Sequence, residues 1–189
     1  MKILIYSLGL PPFRRGGLVN YSVDLAEELA IRGNEVTFLY PGKMPLKKSN
    51  YLSFKKKRTK YSFQCYEMIN PLPVSLTFGN SKDASPFYEK RDKSKIEKFI
   101  KCIAPDVVHI HTIMGLPKEY LEILKEKNIK TVFTTHDYYG LCPKMLTSTP
   151  LNSLKSSSCS YDCMLCSVGP SVKKIHLMQS HFYQTFKEL

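Results

Sequence analysis

Apolar and polar positions follow one another along the chain in blocks that predict alternating strands and helices. Met1 to Tyr40 holds an apolar run, Ile3 to Tyr6, then a loop, a periodic segment ending at Arg32, and a second apolar run, Val36 to Tyr40. The first run has no polar alternation, which is typical of a strand buried on both faces of a parallel sheet. The periodic segment repeats apolar residues at helical spacing, at Val19, Val23, Ala26 and Ala30. The pattern therefore predicts a strand, a helix and a second, parallel strand.

The same alternation continues through most of the remaining chain. The elements it predicts are a strand over Tyr61 to Ile69, a helix from Phe87 to Pro105, a strand over Asp106 to Ile110, a short helix opened by Pro117, a strand over Lys130 to Thr135, and a helix over Val172 to Leu189. Such alternation predicts the α/β class. We expect a Rossmann-like parallel sheet with helices on both faces.

Composition and charge narrow the class of protein. A hydrophobic content of 43% is enough for a folded core, but a chain of 189 residues is too short for two full α/β lobes. The net charge of +12 indicates an anionic partner, either a phosphorylated ligand, an acidic membrane surface or a nucleic acid. The first apolar run is too short to cross a bilayer and is followed by no cleavage site, so we expect a cytoplasmic protein.

Three polar clusters follow predicted strands, at Gly16-Gly17, at His109 to Thr112 and at His136-Asp137. Ligands gather at the carboxyl ends of strands in open α/β sheets, so we expect these clusters to share one site. Paired glycines at a helix amino terminus allow close approach of phosphate oxygens, although a simple flexible turn has the same sequence. The pair is not part of a GxGxxG motif and gives little support to a dinucleotide site.

The histidines are the candidates for chemistry near neutral pH. His109 is either a hydrogen-bonded core histidine or a ligand contact, whereas His111, at the exit of its strand, is expected to face the ligand more. His136 fits a substrate-contacting or proton-carrying role best. Asp137 and Tyr138 beside it offer further polar contacts at the rim of the sheet.

Four of the six cysteines lie in one loop, residues 142–166, as Cys142, Cys159, Cys163 and Cys166. Four thiols at this spacing could hold a structural zinc ion, and unligated reduced thiols are the competing interpretation. The last three cysteines also match the spacing of radical SAM iron–sulfur enzymes, but almost no chain follows them, which disfavours that class. Cys65 and Cys102 are expected to be buried apolar residues.

A basic segment, Lys43 to Lys60, carries eight lysine or arginine residues and no acidic one. It is predicted to be a loop, either simply solvated or in contact with an anionic membrane surface, with Tyr51, Leu52 and Phe54 reaching the interface. A nucleic-acid partner is not expected, because no nucleic-acid-binding module is recognisable.

Three segments together resemble the amino-terminal lobe of glycosyltransferase family 4, the retaining, sugar-nucleotide-dependent enzymes of GT-B architecture. They are MKILIYSLGLPPFRRGGLVNYSVDLAEELAIRGNEVTFLYPG, PDVVHIHTIMGLP and TVFTTHDYYGLCP. The resemblance implies that Gly16 and Gly17 border the donor diphosphate and that His136, as the catalytic residue, approaches the donor sugar. It further implies a nucleotide sugar as donor and no catalytic metal. His111, Asp137 and Tyr138 are the other substrate-binding candidates.

The family's carboxy-terminal lobe, with its E-x7-E segment, has no counterpart in the sequence. We therefore expect residues 1–189 to form an acceptor-side domain, incomplete at its carboxyl end, whose second lobe comes from a partner subunit or from missing sequence. The implied function is a glycosyltransferase of the hexosyltransferase type in cell-surface polysaccharide or glycolipid assembly. Its acceptor would be a sugar or a lipid-linked sugar, and its location the cytoplasmic face of the membrane as a peripheral protein. The alternative is a lobe without catalysis that binds a sugar, an acceptor or a partner.

Overall fold

A computed structural model describes residues 1–45, 49–74, 85–136, 171–180, 182–183 and 186 of the chain. Its helices and strands are β1 (Lys2–Tyr6), α1 (Gly17–Ile31), β2 (Glu35–Pro41), β3 (Ser53–Lys57), β4 (Gln64–Ile69), α2 (Lys93–Ile103), β5 (Val107–Ile110), α3 (Lys118–Glu126), β6 (Lys130–Phe133) and α4 (Val172–Gln179).

The strands form one six-stranded sheet in the order β3-β4-β2-β1-β5-β6. β1 pairs in parallel with β2 on one side and with β5 on the other, and β4 and β6 extend the two halves, also in parallel. Among the strands in the described residues, only β3 is antiparallel to its neighbour, β4. The predicted α/β, Rossmann-like class is confirmed, with a mixed rather than wholly parallel sheet. The strand order reverses between β1 and β5, which is where such sheets bind ligands.

Both faces of the sheet are covered, which explains why β1 and β2 have no polar alternation. Ile3 and Ile5 of β1 pack toward α1, and Leu4 and Tyr6 pack toward α2 and α3. α1 meets the first face through Val19, Val23 and Ala26. The second face is closed by Ile96 and Ile100 of α2 and by Tyr120 and Ile123 of α3.

The basic segment is not entirely a loop, because β3 lies within it and forms one edge of the sheet. Leu52 is fully buried, and the ring of Phe54 stacks on Phe99 with centroids 4.0 Å apart. Leu52 and Phe54 were expected to reach a membrane interface, but their packing in the core prevents this. Tyr51, in contrast, is 57% exposed. Lysines on an edge strand commonly protect it against pairing with another sheet edge. Because a run of lysines is also typical of a solvated loop, the sequence pattern did not predict β3.

The helix expected from Phe87 begins later. A single 3₁₀ turn covers Ser85–Tyr88, and α2 begins only at Lys93. Asp92 caps it by accepting the Ser94 N–H at 3.0 Å. Cys65 is buried as predicted, and burial raises the pKa of its thiol to about 12. Cys102 was predicted to be buried too, but it is exposed on α2.

α4 occupies the first part of the predicted carboxy-terminal helix and packs beside the end of β2. The Met44 N–H donates to the Gln179 carbonyl at 2.8 Å. The Val74 N–H donates to Oε1 of the same glutamine at 2.8 Å. Among the residues that the structure describes, no helix combines the length and the apolar character needed to cross a membrane.

Candidate functional site

Three histidines meet where β5 and β6 end, and we call His109, His111 and His136 the histidine cluster. Nδ1 of His111 and Nε2 of His136 share a hydrogen bond of 3.0 Å, so one of the two imidazoles donates to the other. Nε2 of His109 pairs with the Thr134 hydroxyl at 2.8 Å. The His109 and His111 rings are 4.2 Å apart. The structure thus brings together two histidines that lie 25 positions apart in the sequence.

Burial lowers the pKa of two members of the histidine cluster, His109 and His111. His111 is only 1% exposed, and its Nε2 has no hydrogen-bond partner in the described part of the chain. Burial, with the neighbouring His109 and His136, lowers the pKa of His111 to about 3. Burial, with His136, also lowers the pKa of His109. His111 was expected to face the ligand more than His109, but it is buried, whereas His109 and His136 are half-buried.

Tyr21 covers the histidine cluster from α1, and the sequence did not single it out. Its ring makes edge contacts with His111 and His136, with centroids 5.7 Å and 5.2 Å apart. Tyr21 remains 49% exposed, so part of its side chain is accessible to a ligand. α1 is fixed against β1 by a buried hydrogen bond of 2.7 Å between the Ser7 and Ser22 hydroxyls. The signal for Tyr21 was its place one helical turn after Gly17.

The Gly16-Gly17 pair forms the amino terminus of α1. Gly16 has a φ of 128°, which favours glycine, and the helix begins at Gly17. A Cβ atom at either position would meet no other atom within 4 Å, so the space in front of the helix is open. The first amides of a helix have no partner within it and can bind an anion. This geometry suits the predicted phosphate contact.

A cavity of about 680 Å³ opens on the other side of β1, between the segments that follow β1 and β2, the connection from β3 to β4, and Glu67 of β4. We call it the basic cavity, because its lining includes Arg14, Lys43, Lys57, Arg58 and Lys60. The lining also includes Glu67, which is 4% exposed, pairs with Lys57 Nζ at 3.3 Å and accepts the Lys43 N–H at 3.1 Å. The charge run in the sequence indicated an anionic partner but not a cavity, because the lining comes from four separated segments.

Several predicted site residues lie outside the described part of the chain, namely Asp137, Tyr138, Cys142, Cys159, Cys163 and Cys166. Among the described residues, no group of three or more histidine, cysteine or acidic side chains is arranged to hold a metal ion. The structural zinc site therefore stays a prediction without support from the structure.

Comparison with known proteins identifies one family. The sequence model of Glycosyltransferase Family 4 matches residues 15–166, which include the Gly16-Gly17 turn, Tyr21, the histidine cluster and most of the basic cavity. The match confirms the resemblance seen in the sequence and, for that family, implies a nucleotide-sugar donor. No curated protein sequence matches the chain.

Proposed function

We propose that this chain, which belongs to glycosyltransferase family 4, supplies the acceptor-side lobe of a retaining glycosyltransferase that takes its sugar from a nucleotide sugar. The observation that supports the proposal is the juxtaposition of the open α1 amino terminus with the histidine cluster, bridged by Tyr21. An anion-binding helix end beside hydrogen-bonding imidazoles matches the two parts of such a donor, its diphosphate and its sugar.

The helix end would bind the diphosphate and stabilise the charge that develops on it as the glycosidic bond breaks. Amide groups that are already oriented stabilise such charge without having to reorganise. His136 would contact a hydroxyl of the donor sugar. When His111 Nδ1–H donates to His136 Nε2, the proton of the His136 imidazole is on Nδ1 and is available to a ligand oxygen. His111 is then a positioning residue that sets the tautomer of His136.

The remaining features of the proposal concern partners. The carboxy-terminal GT-B lobe, from a partner subunit or from further sequence, would close over the donor and orient it against the acceptor. The acceptor would be a sugar or lipid-linked sugar in cell-surface polysaccharide or glycolipid assembly. Lys55, Lys56 and Arg58 are exposed along β3 and its end, and they would hold the protein at the cytoplasmic, anionic face of a membrane as a peripheral protein.

A transfer assay tests the proposal. The chain is incubated with a panel of nucleotide sugars and acceptors, with and without proteins encoded beside it, and release of nucleotide is measured. We expect turnover, and we expect His136→Ala to lower it by about a hundredfold or more, the usual contribution of a positioned acid–base or hydrogen-bonding group. His176→Ala, which removes the same side chain from α4, is the matched control and should leave turnover unchanged. Absence of turnover with every donor and partner would favour the alternative, a lobe that binds without catalysis.

A further inference from the structure

We propose that the basic cavity binds a phosphate group carried by the acceptor, so that the enzyme glycosylates a phosphorylated sugar or a sugar linked to a lipid phosphate. The inference rests on the proposed function and names the class of acceptor. It concerns the half of the sheet edge that lies across β1 from the histidine cluster.

The charges around the basic cavity favour binding of an anion. Five of its lining residues are cationic, and its carboxylate, Glu67, is already paired with Lys57. Arg14 is half-buried, and no described residue accepts a hydrogen bond from its guanidinium or forms an ion pair with it. Burial lowers the pKa of Arg14, although an arginine remains charged in proteins. A partly desolvated cation without an anionic partner is stabilised when an anionic ligand binds.

The backbone is shaped to hold these side chains at the cavity. Gly9 has a φ of 144°, and a Cβ atom there would come within 2.6 Å of Cγ of Arg14. The loop folds back through the Arg14 N–H, which donates to the Leu10 carbonyl at 3.0 Å. At the end of β2, a Cβ atom on Gly42 would overlap the side chain of Glu67. Two glycines therefore allow the backbone to approach the Arg14 stem and the Glu67 carboxylate closely.

The chemistry favours phosphate over a carboxylate. A phosphate presents three acceptor oxygens, and Arg14, Arg58 and Lys60 reach the cavity from two separate segments that could donate to different oxygens. The volume of about 680 Å³ is in the range of cavities that bind small molecules, so a sugar attached to the phosphate also has room.

Calorimetric titration of the full chain, without donor, tests the inference. Glucose 1-phosphate and inorganic phosphate are the phosphate probes, and glucose is the neutral control. We expect the phosphate probes to bind and glucose not to, and we expect Arg14→Gln to weaken binding by about tenfold or more, the effect of losing one charge-assisted hydrogen bond. Equal binding of glucose 1-phosphate and glucose, or no binding of either phosphate probe, would overturn the inference.

Two double variants separate a site from general electrostatic attraction. Arg58→Gln with Lys60→Gln removes two charges from the cavity, and both residues are exposed, so folding is not at risk. Lys55→Gln with Lys56→Gln removes the same charge from exposed positions that are not among the described lining residues. We expect the first pair to weaken binding of glucose 1-phosphate and the second to leave it within twofold. Equal weakening by both pairs would overturn the inference.

Vesicles identify the source of the phosphate. Phosphatidylcholine vesicles with phosphatidic acid are compared with phosphatidylcholine alone by co-sedimentation. Recruitment by phosphatidic acid that is lost in Arg14→Gln, and kept in Lys125→Gln, supports a lipid-linked phosphate; Lys125 is exposed on α3, outside both the cavity lining and the proposed membrane contacts. Binding of glucose 1-phosphate with no such recruitment supports a soluble sugar phosphate. The proposed function fails separately: phosphate binding without turnover contradicts that function alone, and turnover without phosphate binding contradicts the acceptor class alone.

Discussion

The histidine cluster and the basic cavity lie on opposite sides of β1, and they differ in burial and charge. In the cluster, burial lowers the pKa of His109 and His111, and a hydrogen bond of 3.0 Å joins His111 to His136. The cavity is lined by exposed or half-buried cations around one buried carboxylate. Hydrogen-bonded imidazoles suit orientation of a sugar hydroxyl, whereas a group of cations suits capture of an anion. The comparison shows that the sheet brings the residues of both sites together, whereas the side chains on its strands and on the following segments determine what each site can bind.

The largest expected effect concerns His111 of the histidine cluster. Because the pKa of His111 is about 3 in the folded chain and near its ordinary 6.5 in the unfolded chain, the unfolded chain binds more protons between these values. Protons therefore favour unfolding, and this part of the stability is lost as pH falls from about 6.5 toward 3. The slope from one such group is at most about 1.4 kcal/mol per pH unit.

Urea unfolding at a series of pH values measures this slope, and His111→Gln removes the group that causes it. Carboxylates titrate in both proteins, so the difference between the two curves isolates His111. We expect the free energy of unfolding of the variant to depend less on pH in this window. Identical slopes for the two proteins would show that His111 is not held neutral by the fold.

A smaller effect is expected where the backbone approaches Glu67. Gly42→Ala places a methyl group on the Glu67 side chain, so we expect a loss of about 1–3 kcal/mol in the free energy of unfolding, as for overpacking. Gly17→Ala is the matched control, because a Cβ there meets no neighbour and alanine favours a helix. Thermal and urea unfolding of both variants check this, and equal stability of the two would contradict the close packing at Glu67.

The smallest effect tests how much the ion pair between Lys57 and Glu67, at the basic cavity, stabilises the fold. Lys57→Gln removes the cation 3.3 Å from the buried Glu67, and since Lys57 is itself partly exposed we expect a loss of about 1 kcal/mol. Lys55→Gln, two positions away on the same strand and exposed, should change the free energy of unfolding by less than about 0.5 kcal/mol. A larger loss from Lys55→Gln than from Lys57→Gln, in the same urea measurements, would mean that Glu67 does not depend on this ion pair.

The elements with the clearest apolar patterns could be predicted from sequence. β1 and β2 are continuous apolar runs because both of their faces are buried, and α1 repeats its apolar residues at helical spacing. The glycine pair was correctly placed at the start of α1. β3 was missed because an edge strand is only half-buried and its exposed lysines resemble those of a loop.

The candidate site was less predictable than the fold. The histidines could be assigned to strand ends from the sequence, but their relative burial could not, because it depends on Tyr21 packing over them from another element. The basic cavity requires Arg14, Glu67 and Arg58 to meet at one point of the sheet edge. Because these residues lie in separate segments, no local sequence pattern predicts the cavity.

The packing of α4 beside the end of β2 has a consequence for the order of folding. Met44 and Val74, from the first half of the chain, both donate hydrogen bonds to Gln179, near its carboxyl end. Contacts of such long sequence separation close large loops and tend to form late. Lys43, next to Met44, lines the basic cavity, and its N–H donates to Glu67 of β4, so this wall of the cavity is attached both to β4 and to α4. β1, α1 and β2 meet over shorter separations and can be assembled before the contacts with α4 form.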